Sequence, residues 1–344
     1  MAPMSHVRTV EWIDGGVRMI DQTKLPDKLT YVVIKDYQKM ARAIREMIVR
    51  GAPAIGVAAA MGLALAANGS RAKTKQELMK RLHEAADVLR KSRPTAWNLF
   101  WAIDRVLQAA EVATGSPAEI SQQVVDEARR MADEDVHANH RIGEFGAALL
   151  TDGDVVLTHC NAGTLATVSY GTALAPIRTA ITQGKRLRVF ATETRPRLQG
   201  AKLTTFELLS DRIPVTLIVD GAAGYVMMRG MVSKVIVGAD RITRSFVANK
   251  VGTYMLALAA HANRIPFYVA APSSTFHLEG DQSDVKIEER GAEEVVSIGA
   301  KRIVPRGVRV FNPAFDVTPV ELVEGFITER GVVSPKMLRT DAVL

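Results

Sequence analysis

The chain has 344 residues, of which 47% are hydrophobic and 24% are charged, and its formal net charge is +7 at pH 7. This length suits two domains, or one large α/β domain with an extension. The single cysteine excludes an intrachain disulfide and is typical of a protein in a reducing cytoplasm. The basic excess suits an anionic partner, but no nucleic-acid-binding motif appears and a phosphorylated small molecule accounts for the charge equally well.

The first third of the chain begins with alternating apolar and polar residues, which are typical of a small antiparallel sheet. The predicted strands are residues 7–12, 16–20 and 29–34. Asp36 can then cap a helix that ends near Arg50. The apolar run at 54–67 is too short to span a bilayer, and its alanine and glycine content predicts a helix packed closely against a neighbour. We expect no membrane partner, and the first residues lack the apolar core of a signal peptide.

Capping signals mark the helices that follow. Thr74, with Glu77 three residues later, predicts one helix start. The segment Ser116-Pro117-Ala118-Glu119 predicts another, with proline at the first helical position. A further helix is predicted at 97–112, and a polar stretch at 133–140 is a candidate break in the long helix after Ser116.

Short apolar strands and helices alternate after residue 154, and this rhythm predicts a doubly wound, Rossmann-like parallel sheet of the α/β class. The predicted strands are 155–159, 187–191, 215–219, 234–237 and 267–270, and the predicted helices are 165–182, 199–211, 222–230 and 252–263. A last helix is predicted after Thr318. We therefore expect a smaller, mostly helical N-terminal domain with a short antiparallel sheet over 1–122, and a C-terminal sheet domain over 123–344.

Side chains at the carboxyl ends of parallel strands face one crevice, where open α/β sheets bind ligands. Cys160 follows the predicted strand 155–159, and a helix opening after the next turn would favour thiolate over thiol. A lone cysteine is often only a small buried hydrophobe. Its place at a strand end, with Asp240 at the end of another strand, favours a chemical role.

Asp240 follows the apolar strand 234–237 and two small residues. A carboxyl group in that setting tends to stay protonated, because burial disfavours its charge, and could act as an acid. It could equally cap a helix or pair with Arg241 or Arg244.

Other polar groups flank the same strand ends. They are Glu193, Arg195, Gln199, Asp220, Asn249 and Lys250. The segment 249–253 precedes a helix whose free N–H groups could bind an anion. In the N-terminal domain, Arg50-Gly51-Ala52 and Arg93-Pro94 are candidate phosphate clamps, because glycine permits close approach of the backbone and arginine binds phosphate well.

Nucleotide and metal sites have little support. No Gly-x-Gly-x-x-Gly follows a strand, and no phosphate-binding P-loop is present. Glu134-x-x-His137 places a carboxylate and an imidazole one helical turn apart, but no second copy exists, so we expect no metal site. The block Glu288-Glu289-Arg290 is predicted to lie on the surface.

Six segments taken together resemble one family over nearly the whole chain, the 5-methylthioribose-1-phosphate isomerases of methionine salvage. The segments are Val49-Arg50-Gly51-Ala52-Pro53-Ala54-Ile55-Gly56, Thr158-His159-Cys160-Asn161-Ala162-Gly163, Glu193-Thr194-Arg195-Pro196-Arg197-Leu198-Gln199-Gly200, Gly238-Ala239-Asp240-Arg241-Ile242, Val247-Ala248-Asn249-Lys250, and Asn312-Pro313-Ala314-Phe315-Asp316-Val317-Thr318-Pro319. No single segment would suffice.

The resemblance implies an aldose–ketose isomerase that is a cytoplasmic homodimer and uses neither a metal nor an organic cofactor. It implies that Cys160 and Asp240 are the catalytic pair. It assigns substrate contacts to Arg50, Gly51, Ala52, Arg93, Gln199, Asn249 and Lys250.

This sequence departs from the family pattern in two places. The loop 243–246 is one residue shorter and lacks the usual Asn-Gly-Asp turn, which bears on the rim of the pocket. His277 stands where an aspartate is common.

Two other functions compete with this reading. A ribose-1,5-bisphosphate isomerase would share Cys160 and Asp240 but need cations, in place of an apolar pocket, for its second phosphate. The Pro53-Ala54-Ile55-Gly56 context favours the methylthio substrate. A non-enzymatic regulatory subunit of a translation initiation exchange factor would need neither the thiol nor the acid.

Overall fold

The computed structural model describes residues 3–279 and 287–339. The chain begins with a three-stranded antiparallel sheet of neighbours in chain order, β1 (Val10–Ile13), β2 (Gly16–Ile20) and β3 (Tyr31–Ile34). Five helices follow: α1 (Tyr37–Arg45), α2 (Ala52–Asn68), α3 (Lys75–Arg90), α4 (Trp97–Val112) and α5 (Pro117–Ala147). The predicted small sheet and the predicted helix 97–112 are confirmed.

Helix α2 is the centre of the N-terminal helices. Every residue from Ala54 to Ala67 is buried, and the helix packs against α1, α3, α4 and α5. Its small residues make this possible, since a Cβ added at Gly56 would lie only 2.9 Å from the Asn98 carbonyl oxygen. The predicted close packing of this helix is confirmed. None of the described helices is long and apolar enough to cross a membrane.

The second half of the chain alternates strands and helices. In chain order they are β4 (Val155–Thr158), α6 (Ala175–Thr182), β5 (Arg188–Thr192), α7 (Thr205–Ser210), β6 (Val215–Ile218), α8 (Ala223–Met228), β7 (Lys234–Val237), β8 (Arg241–Ile242), β9 (Phe246–Lys250), α9 (Thr253–Ala262), β10 (Phe267–Ala270), α10 (Glu293–Val296), β11 (Ser297–Ile298), β12 (Lys301–Arg302), β13 (Phe315–Pro319), β14 (Gly325–Thr328) and β15 (Gly331–Val333).

Seven of these strands form one sheet in the order β15-β14-β10-β7-β4-β5-β6, in which only β15 runs antiparallel to its neighbour. The six parallel strands have the doubly wound order 3-2-1-4-5-6 of a Rossmann-type sheet. The predicted α/β class is therefore confirmed. The strand order reverses between β4 and β7, which is where such sheets bind ligands. A separate antiparallel sheet of β13, β9 and β8 follows the end of β7.

Helix α5 connects the two regions. Ser116 and Glu119 form the predicted capping box, and the 31-residue helix continues unbroken through the polar stretch 133–140. It packs against α2 and α4 at one part of its length and against α6 and β14 at another. The predicted domain boundary at residue 122 falls inside this helix.

The predicted helix 165–182 is formed only over its second half, and the helix predicted after Thr318 is replaced by a 3₁₀ turn. The chain after β4 forms only a 3₁₀ turn at Thr164–Ala166, and α6 begins at Ala175, where Pro176 suits the first turn of a helix. No α-helix begins directly after Cys160, so the predicted stabilisation of its thiolate by a helix N-terminus has no structural basis. Near the carboxyl end, Val320–Leu322 is a 3₁₀ turn, and the chain then adds the strands β14 and β15.

Asp135 ties α5 to the segment after β4. Its Oδ2 atom accepts hydrogen bonds from the backbone N–H of Val168 (2.7 Å) and from Nδ2 of Asn139 (3.0 Å). Burial raises the pKa of this carboxyl from 3.8 to about 7, although both hydrogen bonds oppose the rise. The folded chain therefore holds a proton here between pH 4 and 7 that the unfolded chain has released.

Because the folded-state pKa is the higher one, the free energy of unfolding should fall as pH rises from about 4 to 7 and then level off. Asp135→Asn keeps both acceptor contacts and removes the charge. The free energy of unfolding of this variant should exceed that of the wild type by an amount that grows from pH 4 to pH 7 and reaches up to about 4 kcal/mol at pH 7 and above. Urea unfolding at a series of pH values measures the difference. Asn139→Ala keeps the carboxyl, so its free energy of unfolding should fall with pH as steeply as that of the wild type. An equally steep fall in Asp135→Asn would contradict the expectation.

Candidate active site

Cys160 and Asp240 lie on either side of the point where the strand order of the large sheet reverses. Cys160 follows β4 and Asp240 follows β7, and these two strands pair in parallel, with Leu157 opposite Val235. A Cβ added at Gly238 would lie 2.7 Å from Cβ of Ala162, so only a small residue lets the two strand ends approach so closely. Both side chains line one cavity of about 200 Å³.

Cys160 is held in a left-handed conformation by two threonines. Its φ is +60°, which is uncommon for a residue with a side chain. Its N–H donates to Oγ1 of Thr194 (2.9 Å), and its carbonyl accepts from Oγ1 of Thr204 (2.6 Å). Thr194 is itself fixed, because its N–H donates to Oδ1 of Asp220 (2.7 Å). The backbone of Cys160 is thus held by hydrogen bonds to two threonines in the segment that follows β5.

His159, next to the cysteine, is a structural residue. Its Nε2 lies 2.9 Å from the carbonyl oxygen of Val251, which can only accept, so the ring proton is on Nε2 and Nδ1 accepts from the Thr192 hydroxyl at 2.6 Å. Burial lowers the pKa of His159. The neutral imidazole therefore links the ends of β4, β5 and β9.

Glu207 lies beneath the turn that carries Cys160. Its carboxylate accepts from Nδ2 of Asn161 (2.8 Å), from the N–H groups of Thr164 (2.7 Å) and Leu165 (3.1 Å), and from Nη2 of Arg178 (2.8 Å). Glu207 is fully buried, and a Cβ added at Gly163 would lie 2.3 Å from its Oε2 atom. The Asn161-Ala162-Gly163-Thr164 turn is therefore shaped around one carboxylate.

Asp240 is half-buried, and its partial removal from water raises the pKa of its carboxyl group. The cations Lys250, Arg93 and Arg50 oppose that rise but do not cancel it. The sequence had suggested Arg241 and Arg244 as partners, whereas the nearby positive charges come from other segments. A carboxyl with a raised pKa is suited to donate a proton.

Lys250 lies near both Cys160 and Asp240. Burial lowers the pKa of its ammonium group, and the two acidic side chains oppose the change. Its Nζ donates to the Ala314 carbonyl (2.7 Å) and lies 4.6 Å from the ring centre of Phe315. The ammonium group is thus fixed at the wall of the cavity.

We call this space the cationic cavity, because six cations and one carboxyl, Asp240, are its charged lining residues. The cations are Arg50, Arg93, Arg197, Lys202, Lys250 and Arg290. Such a concentration of positive charge in a cleft suits a phosphorylated ligand.

Three of these cations, Arg197, Lys202 and Arg290, were not among the predicted site residues. Arg290 belongs to the 288–290 block assigned to the surface, and that assignment is wrong for Arg290, which lines the cavity. A chain of ion pairs runs along this wall, Arg93–Glu288 (3.0 Å), Glu288–Arg290 (2.6 Å), Arg290–Glu294 (2.7 Å) and Glu294–Arg197 (2.7 Å). In the sequence, this chain of ion pairs is indicated by the alternating negative and positive charges of Glu288, Arg290 and Glu294.

The structure brings the nine predicted site residues together. Seven line the cationic cavity: Arg50, Gly51, Arg93, Cys160, Gln199, Asp240 and Lys250. Ala52 and Asn249 line a smaller adjoining cavity that also contacts Cys160 and Asp240.

Three residues that line the cationic cavity have a buried atom without a hydrogen-bond partner among the described residues: Nε of Arg93, Oε1 of Gln22 and Oε1 of Gln199. A buried polar atom without a partner costs about 1–3 kcal/mol. A ligand that accepts from the arginine and donates to the amides would remove that cost.

Arg50 and Gly51 join the start of α2 to the Cys160 turn. Nη1 and Nη2 of Arg50 donate to Oδ1 (2.5 Å) and to the carbonyl (2.8 Å) of Asn161. Gly51 has a φ of +92°, and a Cβ there would lie 2.4 Å from Cα of Ala166, so the position requires glycine. Part of the Arg50 guanidinium is therefore committed to the protein itself.

Some polar candidates have structural roles instead. Arg195 donates to the Val295 carbonyl (2.9 Å), and Asp220 accepts from the N–H groups of Thr194 and Arg195. The N-terminus of α9, predicted as an anion site, is occupied by the chain's own Asp316, which accepts from the N–H of Gly252 (2.6 Å). Glu134 pairs with Arg105 (2.6 Å).

The shortened loop 243–246 is a tight turn between β8 and β9. The N–H of Thr243 donates to the Phe246 carbonyl (2.9 Å), and none of its residues lines the cationic cavity. The loop in which this sequence departs from the family pattern therefore does not form part of the wall of the cationic cavity.

Comparison with known proteins places this architecture in one family. The model of the initiation factor 2 subunit family matches residues 48–335, which is most of the chain. The chain belongs to the initiation factor 2 subunit family.

Members of the initiation factor 2 subunit family that resemble this chain include enzymes. A putative methylthioribose-1-phosphate isomerase of Archaeoglobus fulgidus is 51% identical over 329 residues, covering 96% of each chain. A 5-deoxyribose 1-phosphate isomerase of Moorella thermoacetica is 54% identical over 334 residues, covering 96% of this chain and 95% of the other. The crystal structure of 5-methylthioribose 1-phosphate isomerase from Pyrococcus horikoshii OT3 is 46% identical, has a TM-score of 0.89, and covers 97% of this chain and 94% of the other.

In this member of the initiation factor 2 subunit family, we expect Glu207→Gln to destabilise the fold strongly. The change leaves Arg178 with less compensating charge in the interior and replaces an acceptor atom by a donor opposite N–H groups. The free energy of unfolding should fall by about 3–5 kcal/mol, as measured by urea denaturation. Asp152→Asn, which breaks an exposed ion pair with Arg186, is the matched control and should change little. Equal losses in the two variants would contradict the role of Glu207.

Proposed function

We propose that this chain is an aldose–ketose isomerase that converts 5-methylthioribose 1-phosphate to 5-methylthioribulose 1-phosphate in methionine salvage. The observation that carries the proposal is the pairing of a thiol, Cys160, with a half-buried carboxyl of raised pKa, Asp240, in a cavity lined by six cations. The relatives named as sugar 1-phosphate isomerases support the same reaction class. A cytoplasmic location suits the enzyme, because a free thiol stays reduced there.

The substrate phosphate binds in the cationic cavity. Arg93 donates from its unpartnered Nε, Lys250 and Arg50 add positive charge, and the N-terminus of α2 at Gly51 presents backbone N–H groups to the anion. Oε1 of Gln199 accepts from a sugar hydroxyl. Ala52 and Asn249 complete the wall on the side of the smaller adjoining cavity.

The reaction begins with ring opening, because phosphate on the anomeric carbon prevents the sugar from opening by itself. Asp240 donates its proton to the ring oxygen, and the bond between that oxygen and C1 breaks. A hydrogen then moves from C2 to C1, and the C2 hydroxyl gives its proton to the Asp240 carboxylate to form the ketose. In a proton-transfer route the Cys160 thiolate removes the C2 proton, an enediolate that carries the phosphate forms, and the thiol returns that proton to C1. In a hydride route the hydrogen moves directly with its electron pair, and Cys160 stabilises the transition state.

A regulatory subunit of a translation initiation exchange factor is the competing function, since the family name includes such subunits. A subunit of that kind has no use for a thiol and a carboxyl of raised pKa at adjacent strand ends. Ribose-1,5-bisphosphate isomerase is the competing enzyme. Ketose formation by the purified protein from each sugar phosphate, without added metal or nucleotide, distinguishes the three.

We expect Cys160→Ser and Asp240→Asn each to lower kcat by roughly 10²-fold or more, the usual contribution of a positioned acid or base. Serine keeps the size of the thiol without its acidity, and asparagine keeps the shape of the carboxyl without its proton. Initial rates with 5-methylthioribose 1-phosphate measure the effect.

Circular dichroism and binding of the ketose product by calorimetry are the controls for these two variants. Both variants should fold and bind product, because the phosphate contacts lie on other residues. A near-normal kcat in either variant would remove that residue from the mechanism.

We further propose that the enzyme is a homodimer that pairs through α8 and α9. These helices pack side by side, and they expose Tyr225, Met228, Tyr254, Met255 and Leu258. Met228 and Met255 are 65% and 66% exposed. Contiguous apolar surface of this kind is uncommon on a monomer and is typical of an interface between identical subunits.

Met255→Glu should therefore dissociate the protein, because it places a charge in the apolar contact. Light scattering after gel filtration should give twice the 37.4 kDa chain mass for the wild type and the single-chain mass for the variant. Val112→Glu, at a 74% exposed apolar residue on α4, is the matched control and should remain a dimer. A monomeric wild type, or a dimeric Met255→Glu, would contradict the proposed interface.

A further inference from the structure

Glu288 connects two of the arginines that line the cationic cavity. Its carboxylate accepts from one arginine on each oxygen, from Nη2 of Arg93 on Oε2 (3.0 Å) and from Nη1 of Arg290 on Oε1 (2.6 Å). Both arginines line the cavity, whereas Glu288 is not among the described residues of its lining. Glu288 therefore lies behind the wall and can act on a ligand only through the guanidinium groups.

The two ion pairs are largely shielded from water. The exposed fractions of the side chains are 12% for Arg93, 20% for Glu288 and 21% for Arg290. Burial by itself would raise the pKa of the Glu288 carboxyl group, but the two arginines outweigh burial and the pKa is lowered. The carboxylate is therefore charged at neutral pH, and it holds together two cations that would otherwise repel each other.

The backbone around Glu288 fixes the place of this carboxylate. The N–H of Ala314 donates to the Glu288 carbonyl (2.8 Å), and the N–H of Arg290 donates to the Asn312 carbonyl (2.9 Å). The Ala314 carbonyl in turn accepts from Nζ of Lys250 (2.7 Å). Glu288 is thus anchored to the same segment that fixes Lys250 at the cavity wall.

Arg93 has one nitrogen of its guanidinium group committed and another without a partner. Nη2 donates to Glu288, which is the one hydrogen-bond partner of this side chain among the described residues, and the buried Nε has none there. A guanidinium group is planar and presents its donors in a fixed geometry. A carboxylate held on Nη2 therefore sets the direction in which Nε can donate.

We infer that Glu288 is a positioning residue for the phosphate site, which holds Arg93 so that its Nε is presented to the phosphate. Arg290 braces the carboxylate from its other oxygen. The inference rests on the proposed function, which makes this phosphate the one on C1 of the sugar. Phosphate and carboxylate then bind one guanidinium group together, the phosphate on Nε and Glu288 on Nη2. Glu288 contacts no reacting atom, so it contributes to binding and not to proton transfer.

Glu288→Gln should raise the KM for 5-methylthioribose 1-phosphate by roughly tenfold or more, the usual effect of a lost charge-assisted hydrogen bond. The value of kcat should stay within about twofold, because the phosphate contact is the same in the ground state and the transition state. Initial rates measure both constants. Glu289→Gln, the same change at the exposed neighbouring residue, is the matched control and should alter neither.

The sign of the change in KM separates positioning from simple repulsion. If Glu288 only repelled the anionic substrate, its neutralisation would strengthen binding, so a lower KM in Glu288→Gln would overturn the inference. The double variant Arg93→Ala/Glu288→Gln tests the route of the effect. Because Glu288 acts through Arg93, its loss should raise KM no further once Arg93 is gone. Effects on KM that multiply, as for independent residues, would contradict that route.

Calorimetric binding of inorganic phosphate separates this inference from the proposed function, because it needs no turnover. A dissociation constant that is roughly tenfold higher in Glu288→Gln than in the wild type supports the positioning role even if no sugar phosphate is isomerised. Turnover with the same KM in wild type and Glu288→Gln would overturn the positioning role and leave the isomerase standing. If the wild type binds neither inorganic phosphate nor a sugar phosphate, both are overturned.

Circular dichroism shows whether Glu288→Gln folds. If it does not, Glu288→Asp decides by the same constants, because its side chain is one methylene shorter and withdraws the carboxylate from both arginines without removing its charge. An unchanged KM in a folded Glu288→Asp would then overturn the inference.

Discussion

The buried carboxylate of Glu207 is the contact on which the Cys160 turn depends. Four donors from two segments converge on it: Asn161 and the N–H groups of Thr164 and Leu165 in the turn itself, and Arg178 on α6. Thr164 and Leu165 are the first residues of a 3₁₀ turn, and Glu207 accepts from the N–H groups that the start of this turn leaves without a partner. The left-handed Cys160 is then a consequence of tertiary contacts, because no local preference favours it.

The same turn joins the two halves of the fold. Arg50 donates to Asn161 from the start of α2, and Gly51 lets the backbone approach Ala166 more closely than any side chain would permit. Arg93 reaches the cavity from the segment before α4. The cationic cavity is therefore built between the N-terminal helices and the carboxyl ends of the parallel strands. Neither half contains it alone.

Burial and charge act in opposite directions on Asp240, and burial prevails. The pKa of the carboxyl group is therefore raised although Lys250, Arg93 and Arg50 are close. Asp240 borders two cavities, one lined by six cations and a second lined in part by Trp97 and Phe100.

The sequence by itself determined the α/β class, the strands β7 and β10, the capping of α5, and the placement of Cys160 and Asp240 at neighbouring strand ends, because periodicity and capping are local properties. It could not determine that the segment directly after β4 forms no α-helix before Ala175, that β14 and β15 follow in place of a last helix, or that Asp316 occupies the N-terminus of α9. Nor could it determine that Arg290, predicted to lie on the surface, lines the cationic cavity. Each of these depends on a partner distant in sequence, and only the tertiary structure brings such partners within hydrogen-bonding distance.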